Sequence, residues 1–308
     1  MTAPKCDDQT FMRLFETLGA EGLAREIGVN VRQVYARRRN LERLYAIRLQ
    51  SPNKRDNQSI PFGLEQVYLE GPVVIFSDAH FWPNTYTDAF WIMLRVIREI
   101  KPVAVVSNGD SLDGARISRH SRIGWDQRPT VKEELDAAKS CLSMVEQATG
   151  DVDLFWNYGN HCLRFDTYLS SRVSEFEGVQ GMSLKDHFPR WKFQWGLKIN
   201  DVCVVKHRYK GGVHAAHNNT LWAGMSMVTG HTHRLQIRRF SDYRGTRYGV
   251  ETGTLADVNG PMFDYTEGNP LDWQPGFIVA YFDGDEHWFE AVEVRNGAAF
   301  WGGRKWTP

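Results

Sequence analysis

From residue 72 onward the chain alternates short apolar runs with longer amphipathic stretches. The runs lie at 73–76, 103–106, 153–158, 193–199, 202–205, 225–230, 246–252, 277–282 and 287–294. Between the first three, residues 88–100 and 130–149 carry apolar side chains at helical spacing. Strand, helix, strand, helix, strand predicts a βαβ start, and the helix-poor remainder predicts a mixed sheet or two packed sheets. Residues 11–49 follow a different pattern, rich in Leu, Ala, Arg and Glu with helical periodicity. The sequence SPNKRDNQSIPFG at 51–63 then carries the Pro, Asn, Ser and Gly of a connector. The predicted organisation is a helical module over 1–50, a linker over 51–70 and an α/β domain over 71–308.

The polar residues that end these runs carry the chemical information. The run at 73–76 leads into Asp78 and His80, and that at 103–106 into Asn108, Gly109 and Asp110. The run at 153–158 leads into Asn160 and His161, that at 202–205 into His207, and that at 225–230 into His231 and His233. Ligands of α/β sheets bind in the crevice beyond the carboxyl ends of the strands. A lone Asp or Asn at such a place is as often a cap or turn residue, but five strand ends with carboxylate, amide or imidazole indicate a shared metal site. The i, i+2 spacing of Asp78 with His80 and of His231 with His233 puts each pair on one face of an extended segment. A donor set without thiolate suits manganese, iron or zinc, with the harder ions favoured.

Read in order, DAH, GDSLD, GNH, a strand-end His and GHTH resemble the calcineurin-like metallophosphoesterases over roughly residues 71–255. The resemblance implies a four-layer α/β/β/α sandwich with two divalent metal ions, Mn²⁺ foremost and Fe or Zn as alternatives. It implies that Asp78, His80 and His233 hold the first ion, that Asn160, His207 and His231 hold the second, and that Asp110 bridges them. His161 matches the family's catalytic histidine, and Asp113 is expected behind the ligands, orienting an imidazole. Two ions roughly 3.5–4 Å apart can clamp the attacking and leaving oxygens of an in-line displacement. The sequence departs from the family pattern at Cys162, where an acid usually follows GNH, and at Arg208, where Gly often follows the strand-end His. His214 and His217 compete for the role given to His207, which is preferred because it directly follows an apolar run.

The helical module adds a second kind of chemistry. Residues 20–28 fit a short helix with Leu23, Ala24 and Ile27 inward, 28–30 a tight turn, and 31–46 a second helix with Val31, Val34, Leu41 and Leu44 inward. The segment resembles a DNA-binding helix-turn-helix. Residues 31–55 hold eight basic residues, Arg32, Arg37, Arg38, Arg39, Arg43, Arg48, Lys54 and Arg55, against the single acid Glu42. That charge fits a phosphate backbone, with Arg32, Gln33, Arg37 and Arg38 as the expected nucleic-acid contacts. A solvated helix used for assembly is the plain alternative.

The whole chain, by contrast, is neutral, with 37 basic and 37 acidic residues among 308, so the basic bias is local. The four cysteines have no paired spacing, no apolar stretch spans a bilayer, and the N-terminus lacks a signal-peptide pattern. The expectation is a cytoplasmic protein, in the host cytoplasm if it is viral, with no membrane partner; a dimer remains open.

Together these features predict a metal-dependent phosphodiesterase or nuclease acting on DNA, with Arg116, Arg119, His120 and Arg164 as candidate substrate contacts. The alternatives are a small-molecule phosphatase or phosphodiesterase for nucleotides, and a non-enzymatic DNA-binding protein with a vestigial hydrolase domain. The aromatic-rich stretch after residue 256, with Trp273, Phe277, Tyr281, Trp288, Trp301 and Trp306, is read as core and sheet packing.

Overall fold

The computed structural model describes residues 6–49, 63–122 and 124–308. In it, the run at 73–76 belongs to a strand, β2 (Gly71–Phe76), that is covered on both faces. Val74 and Phe76 pack on one side, and Val73 and Ile75 on the other. Burial on both faces is why the run is continuously apolar instead of alternating. The first sheet runs in the order β12 (Glu286–Glu293), β11 (Gly276–Asp283), β2, β3 (Ala104–Ser107), β4 (Asp153–Asn157) and β5 (Lys192–Gln194). Strands β2 to β5 are parallel, while β11 is antiparallel to β2 and β12 to β11.

The second sheet runs β1 (Glu65–Val67), β6 (Leu197–Ile199), β7 (Cys203–Val205), β8 (Ser226–Thr229), β10 (Gly245–Thr252) and β9 (Leu235–Asp242). Val73, Ile75 and Val106 of the first sheet meet Leu197, Val205, Val228 and Val250 of the second in a continuous apolar layer. Helices α3 (Asp88–Ile100) and α4 (Val131–Thr149) cover the outer face of the first sheet. Helix α6 (Ala215–Ala223) lies on β8, β9 and β10 of the second. The layers are therefore α/β/β/α. Helix α5 (Leu163–Arg172) follows β4, and a terminal hairpin, β13 (Ala299–Trp301) with β14 (Arg304–Trp306), closes the chain. Thr87 caps α3, and Thr130 with Glu133 forms a capping box on α4, each worth about 1 kcal/mol.

Three expectations change here. Residues 65–69 do not belong to a linker: β1 pairs in parallel with β6, and Leu69 is buried, with its N–H donated to Asn200 Oδ1 at 2.8 Å. The rest of that linker up to residue 62 lies outside the described residues. The run at 193–199 is two strands, β5 and β6, that belong to different sheets. Strand β9 was not expected from its sequence LQIRRFSD, because it is a half-exposed edge strand whose charged side chains face water.

The chain divides into two units, Met1–Pro61 and Phe62–Pro308. In the first, α1 (Asp8–Glu26) breaks at Gly19, whose φ is 68°, and a turn leads to α2 (Val31–Tyr45). Phe11, Phe15, Leu23, Ala24, Val34, Leu41 and Leu49 form its core, with Ile27 and Val31 half-buried against it. Leu44, expected inside, is 69% exposed. Among the described residues no helix is long and apolar enough to cross a membrane.

Candidate metal centre

The loops that leave β2 and β3 are bonded to each other before any side chain takes part. Asp78 N–H donates to Gly109 O at 3.0 Å, His80 N–H to Asp110 O at 2.9 Å and Phe81 N–H to Ser111 O at 3.0 Å. The second sheet joins them, since Gly230 N–H donates to His207 O at 2.8 Å and His231 N–H to Asp78 Oδ2, also at 2.8 Å. Five candidate ligands sit in the left-handed backbone region: Asp78, His80, Asp110, His231 and His233, with φ between 38° and 72°. Non-glycine residues rarely adopt that region, and such outliers cluster at functional sites. Two neighbouring glycines make the approach physically possible. A Cβ at Gly159 would overlap Asp110 Oδ1, and one at Gly230 would overlap Ser77 Oγ.

The side chains fall into two groups. Asp78, His80 and His233 bring potential ligand atoms within 4.8 Å of one another, and so do Asp110, His207 and His231. His80, Asp110 and His161 form a third such cluster, which overlaps both. The two aspartates share one design. Asp78 Oδ2 is held by Ser77 Oγ–H and His231 N–H; Asp110 Oδ1 is held by the N–H groups of His161 and Cys162, at 2.8 and 3.2 Å. In each carboxylate one oxygen is anchored and the other faces the centre.

The imidazoles are oriented in the same way. His207 Nδ1–H donates to Asn108 O at 2.8 Å, and His80 Nδ1–H to Asp113 Oδ1, also at 2.8 Å. Each Nε2 is thereby left as the lone-pair atom that a metal requires. Four buried atoms, Asp78 Oδ1, His80 Nε2, Asn160 Oδ1 and His207 Nε2, have no hydrogen-bond partner among the described residues. His207 Nε2 lies 2.9 Å from Asp110 Oδ2 without hydrogen-bond geometry. Leaving several buried polar atoms unsatisfied is costly, and converging donors of this chemistry fit divalent cations.

Asp113 orients two rings at once. Besides His80, it accepts from His161 Nδ1 at 2.8 Å. Arg164 Nη1 donates to Asp113 O at 2.9 Å, and its Nη2 lies 3.3 Å from His161 Nε2. Burial works against ionised Asp113, but the hydrogen bonds from His161 and His80 outweigh it and hold the carboxyl far below the usual range. Burial disfavours the imidazolium of His161, yet its hydrogen bond to Asp113 and the charges of Asp110 and Asp113 raise its pKa above the ordinary value. For His80 burial prevails and lowers the pKa. Cys162, in place of the family's usual acid, is fully buried, and burial pushes its thiol up to about 12. There it is a small core side chain.

Among the other predicted positions, His214 and His217 are exposed and join no cluster. A cavity of about 450 Å³ opens beside His161. His120 and Arg164 line it; Arg116 and Arg119 do not, and Arg116 is exposed and donates to Arg128 O at 3.0 Å. Trp82, Arg128 and Tyr265, which sequence reasoning missed, line the cavity too. Only their loops' return to the site reveals them. Trp273, expected in plain packing, has its ring 4.3 Å from that of His233.

In the helical unit, three of the four expected nucleic-acid contacts have internal roles. Arg37 pairs with Asp8 at 2.7 Å, donates to Cys6 O at 2.8 Å and covers the Phe11 ring. Arg38 pairs with Glu42 at 2.8 Å and covers Phe15. The Gln33 side chain accepts from Asn30 N–H at 3.0 Å as part of the cap of α2. Arg32 remains on the surface, and Tyr35, Arg39 and Arg43 follow it along one helical face, all exposed.

The Gene 54 protein of Mycobacterium phage L5 is 30% identical to this chain over 255 residues, which span 76% of the chain and 98% of that protein. The chain belongs to the Gene 54 family. The Gene 54 protein of Mycobacterium phage D29 is 24% identical over 261 residues, 76% of this chain and 98% of its own length. No family model matches. Among solved structures, Vacuolar Protein Sorting 29 of Cryptosporidium parvum superposes with a TM-score of 0.41 at 13% identity, over 78% of this chain and all of that one. This Gene 54 family member has the four-layer sandwich, with ligand clusters at the ends of its strands, that the resemblance of its motifs implied.

Proposed function

We propose that this protein is a phosphodiesterase or nuclease that hydrolyses DNA with two divalent cations, manganese foremost, and that its N-terminal helices bind the DNA. The hydrolase reading is carried by the four buried, unpartnered donors that converge at the strand ends. Asp78, His80 and His233 would hold one ion, Asn160, His207 and His231 the other, and Asp110 would bridge them. When bound, such a pair supplies positive charge to the phosphoester oxygens and lowers the pKa of water. The chain's own residues do the rest. Asp113 fixes the rings of His80 and His161. His161, whose raised pKa favours the protonated form, gives a proton to the leaving oxygen. Arg164, beside its Nε2, meets a phosphate oxygen.

The exposed face Arg32, Tyr35, Arg39 and Arg43 supports DNA binding, because no acid pairs with its three arginines among the described residues. Binding at one unit raises the effective concentration of phosphodiester at the other. The test is a screen of the full-length protein with Mn²⁺ against single-stranded DNA, duplex DNA, RNA, cyclic dinucleotides and bis(p-nitrophenyl) phosphate. DNA should be cut, and replacing the three exposed arginines by Ala should lower DNA cleavage relative to the small diester. Hydrolysis of the small diester with no cutting of any DNA would remove the DNA part; no hydrolysis of any of these esters would remove the whole reading.

A further inference from the structure

The cavity beside His161 has a wall chemistry of its own. Trp82 and Tyr265 contribute aromatic surface, and Met262 packs with Trp82 against Phe263 and Trp273 in a small apolar cluster. These side chains come from two loops far apart in sequence. A third loop closes the opposite wall, and Arg128 holds it in shape by donating to Ala115 O at 3.0 Å, Ser121 O at 3.1 Å and Asp126 Oδ2 at 2.8 Å. Arg128 is thus occupied internally, and Asp264 brings an acid with no cationic partner among the described residues. The walls are not basic enough to welcome a second phosphate. They suit a neutral group with a flat apolar face and hydrogen-bond donors at its edge.

The position of the cavity says which part of the substrate that is. His161 and Asn160 are among the residues that line it. In the hydrolysis proposed above, water adds its oxygen to phosphorus, the bond from phosphorus to the leaving oxygen breaks, and His161 passes its proton to that oxygen. The proton released by water returns the balance. The group that departs with the proton must therefore occupy the space His161 lines. A volume of about 450 Å³ falls in the roughly 300–1,000 Å³ range of small-molecule sites and admits one nucleoside.

Resting on the phosphodiesterase reading, we propose that this cavity binds the leaving nucleoside, with its base against Trp82 and Tyr265 and its edge donors toward Asp264. A base held there has left its stack, at a cost smallest where it is already unpaired. The preferred substrates are accordingly single-stranded DNA or unpaired nucleotides.

The test measures binding, with metal chelated, of a dinucleoside monophosphate and of its analogue lacking the base on the leaving sugar. The base should tighten binding roughly tenfold, as stacking on an aromatic side chain does. Tyr265→Ala should erase most of that difference and Tyr265→Phe should retain it; Tyr265 is 54% exposed, so the substitution leaves the fold intact. With Mn²⁺, single-stranded DNA should be cut at least about ten times faster than the same sequence as duplex. Equal binding with and without the base, or faster cutting within duplex, would overturn the proposal. Hydrolysis of bis(p-nitrophenyl) phosphate, measured alongside, separates the two failures: if it persists the nucleoside site alone is wrong, and if it is absent the hydrolase reading is wrong.

Discussion

The metal centre of the sandwich and the helical unit hold their charged residues in opposite ways. At the metal centre the charges are buried and bound on several sides: Asp78, Asp110 and Asp113 are each at most 4% exposed and each accepts at least two hydrogen bonds. In the helical unit, charges are many and lie at the surface, and some that look ready for a partner are already used. Arg37 and Arg38 cover the rings of Phe11 and Phe15 and pair with acids of their own unit. The difference teaches that a count of charges describes a surface only after internal pairings are subtracted. A buried charge is informative by itself, because holding it there costs free energy that only good partners, or an ion, offset.

The largest effect should come from Asp110, which belongs to two of the three ligand clusters. Asp110→Asn keeps the shape of the side chain and its bonds from the N–H groups of His161 and Cys162, but removes the negative charge facing His207. Metal content, read by elemental analysis, and turnover of a small diester should fall together, the latter by at least about a hundredfold. Wild-type turnover in this variant would exclude Asp110 as the bridge. Asp113→Asn tests the contrast one step outward. It should lower kcat roughly 10–100-fold while leaving much of the metal, since the carboxylate of Asp113 is taken up by the rings of His80 and His161. Complete loss of metal would show that it ligates instead of orienting.

On the helical side the comparison makes a double prediction. Replacing Arg32, Arg39 and Arg43 by Ala should reduce the slope of log affinity for duplex DNA against log salt by about 3, near 0.9 for each phosphate no longer neutralised, with little change in melting temperature. Arg37→Ala should do the reverse: leave the slope unchanged and lower stability by about 1 kcal/mol, because the Phe11 ring is uncovered and the Cys6 carbonyl is left without its donor. If Arg37→Ala changes the salt slope and the triple variant does not, surface exposure has been misjudged as the guide to function.

What the sequence made readable follows the same division. Strands β2, β3, β4, β7 and β8 announced themselves because both their faces are buried, and the residues after them stood out as polar groups with no reason to follow an apolar run. Strand β9 was hidden because its side chains face water, and the join between β5 and β6 because a run that crosses between sheets has the same apolar composition as one that stays. The cavity wall was hidden for another reason. Trp82 and Tyr265 stand 183 positions apart in sequence, and nothing local says that their loops meet. The internal partners of Arg37 and Arg38 were hidden because helical spacing gives the face of a residue and not the reach of its side chain.

Glu134 gives the smallest and most discriminating test. It lies on the buried face of α4 with Leu135 and Ala138, and is 1% exposed. Its carboxylate accepts from Gly114 N–H at 2.6 Å and Ala115 N–H at 2.9 Å, directly behind Asp113. Burial, followed by the charge of Asp113, pushes its pKa from 4.5 up to about 7, although the two N–H bonds pull the other way. Because the folded value is the higher one, the folded protein binds the proton more tightly than the unfolded chain does. That stabilisation is complete below about pH 4.5 and is lost as pH rises through 7; it amounts to something on the order of 3 kcal/mol. In Glu134→Gln the side chain stays neutral throughout, and one N–H is left without its acceptor at a cost of about 1–3 kcal/mol at every pH. The variant should therefore be less stable than wild type at pH 5, and the gap should narrow by pH 8. Denaturant unfolding at the two pH values measures this directly. A gap that stays constant would mean that Glu134 is ionised across the range, and that the buried charges of this unit are offset more completely than their burial implies.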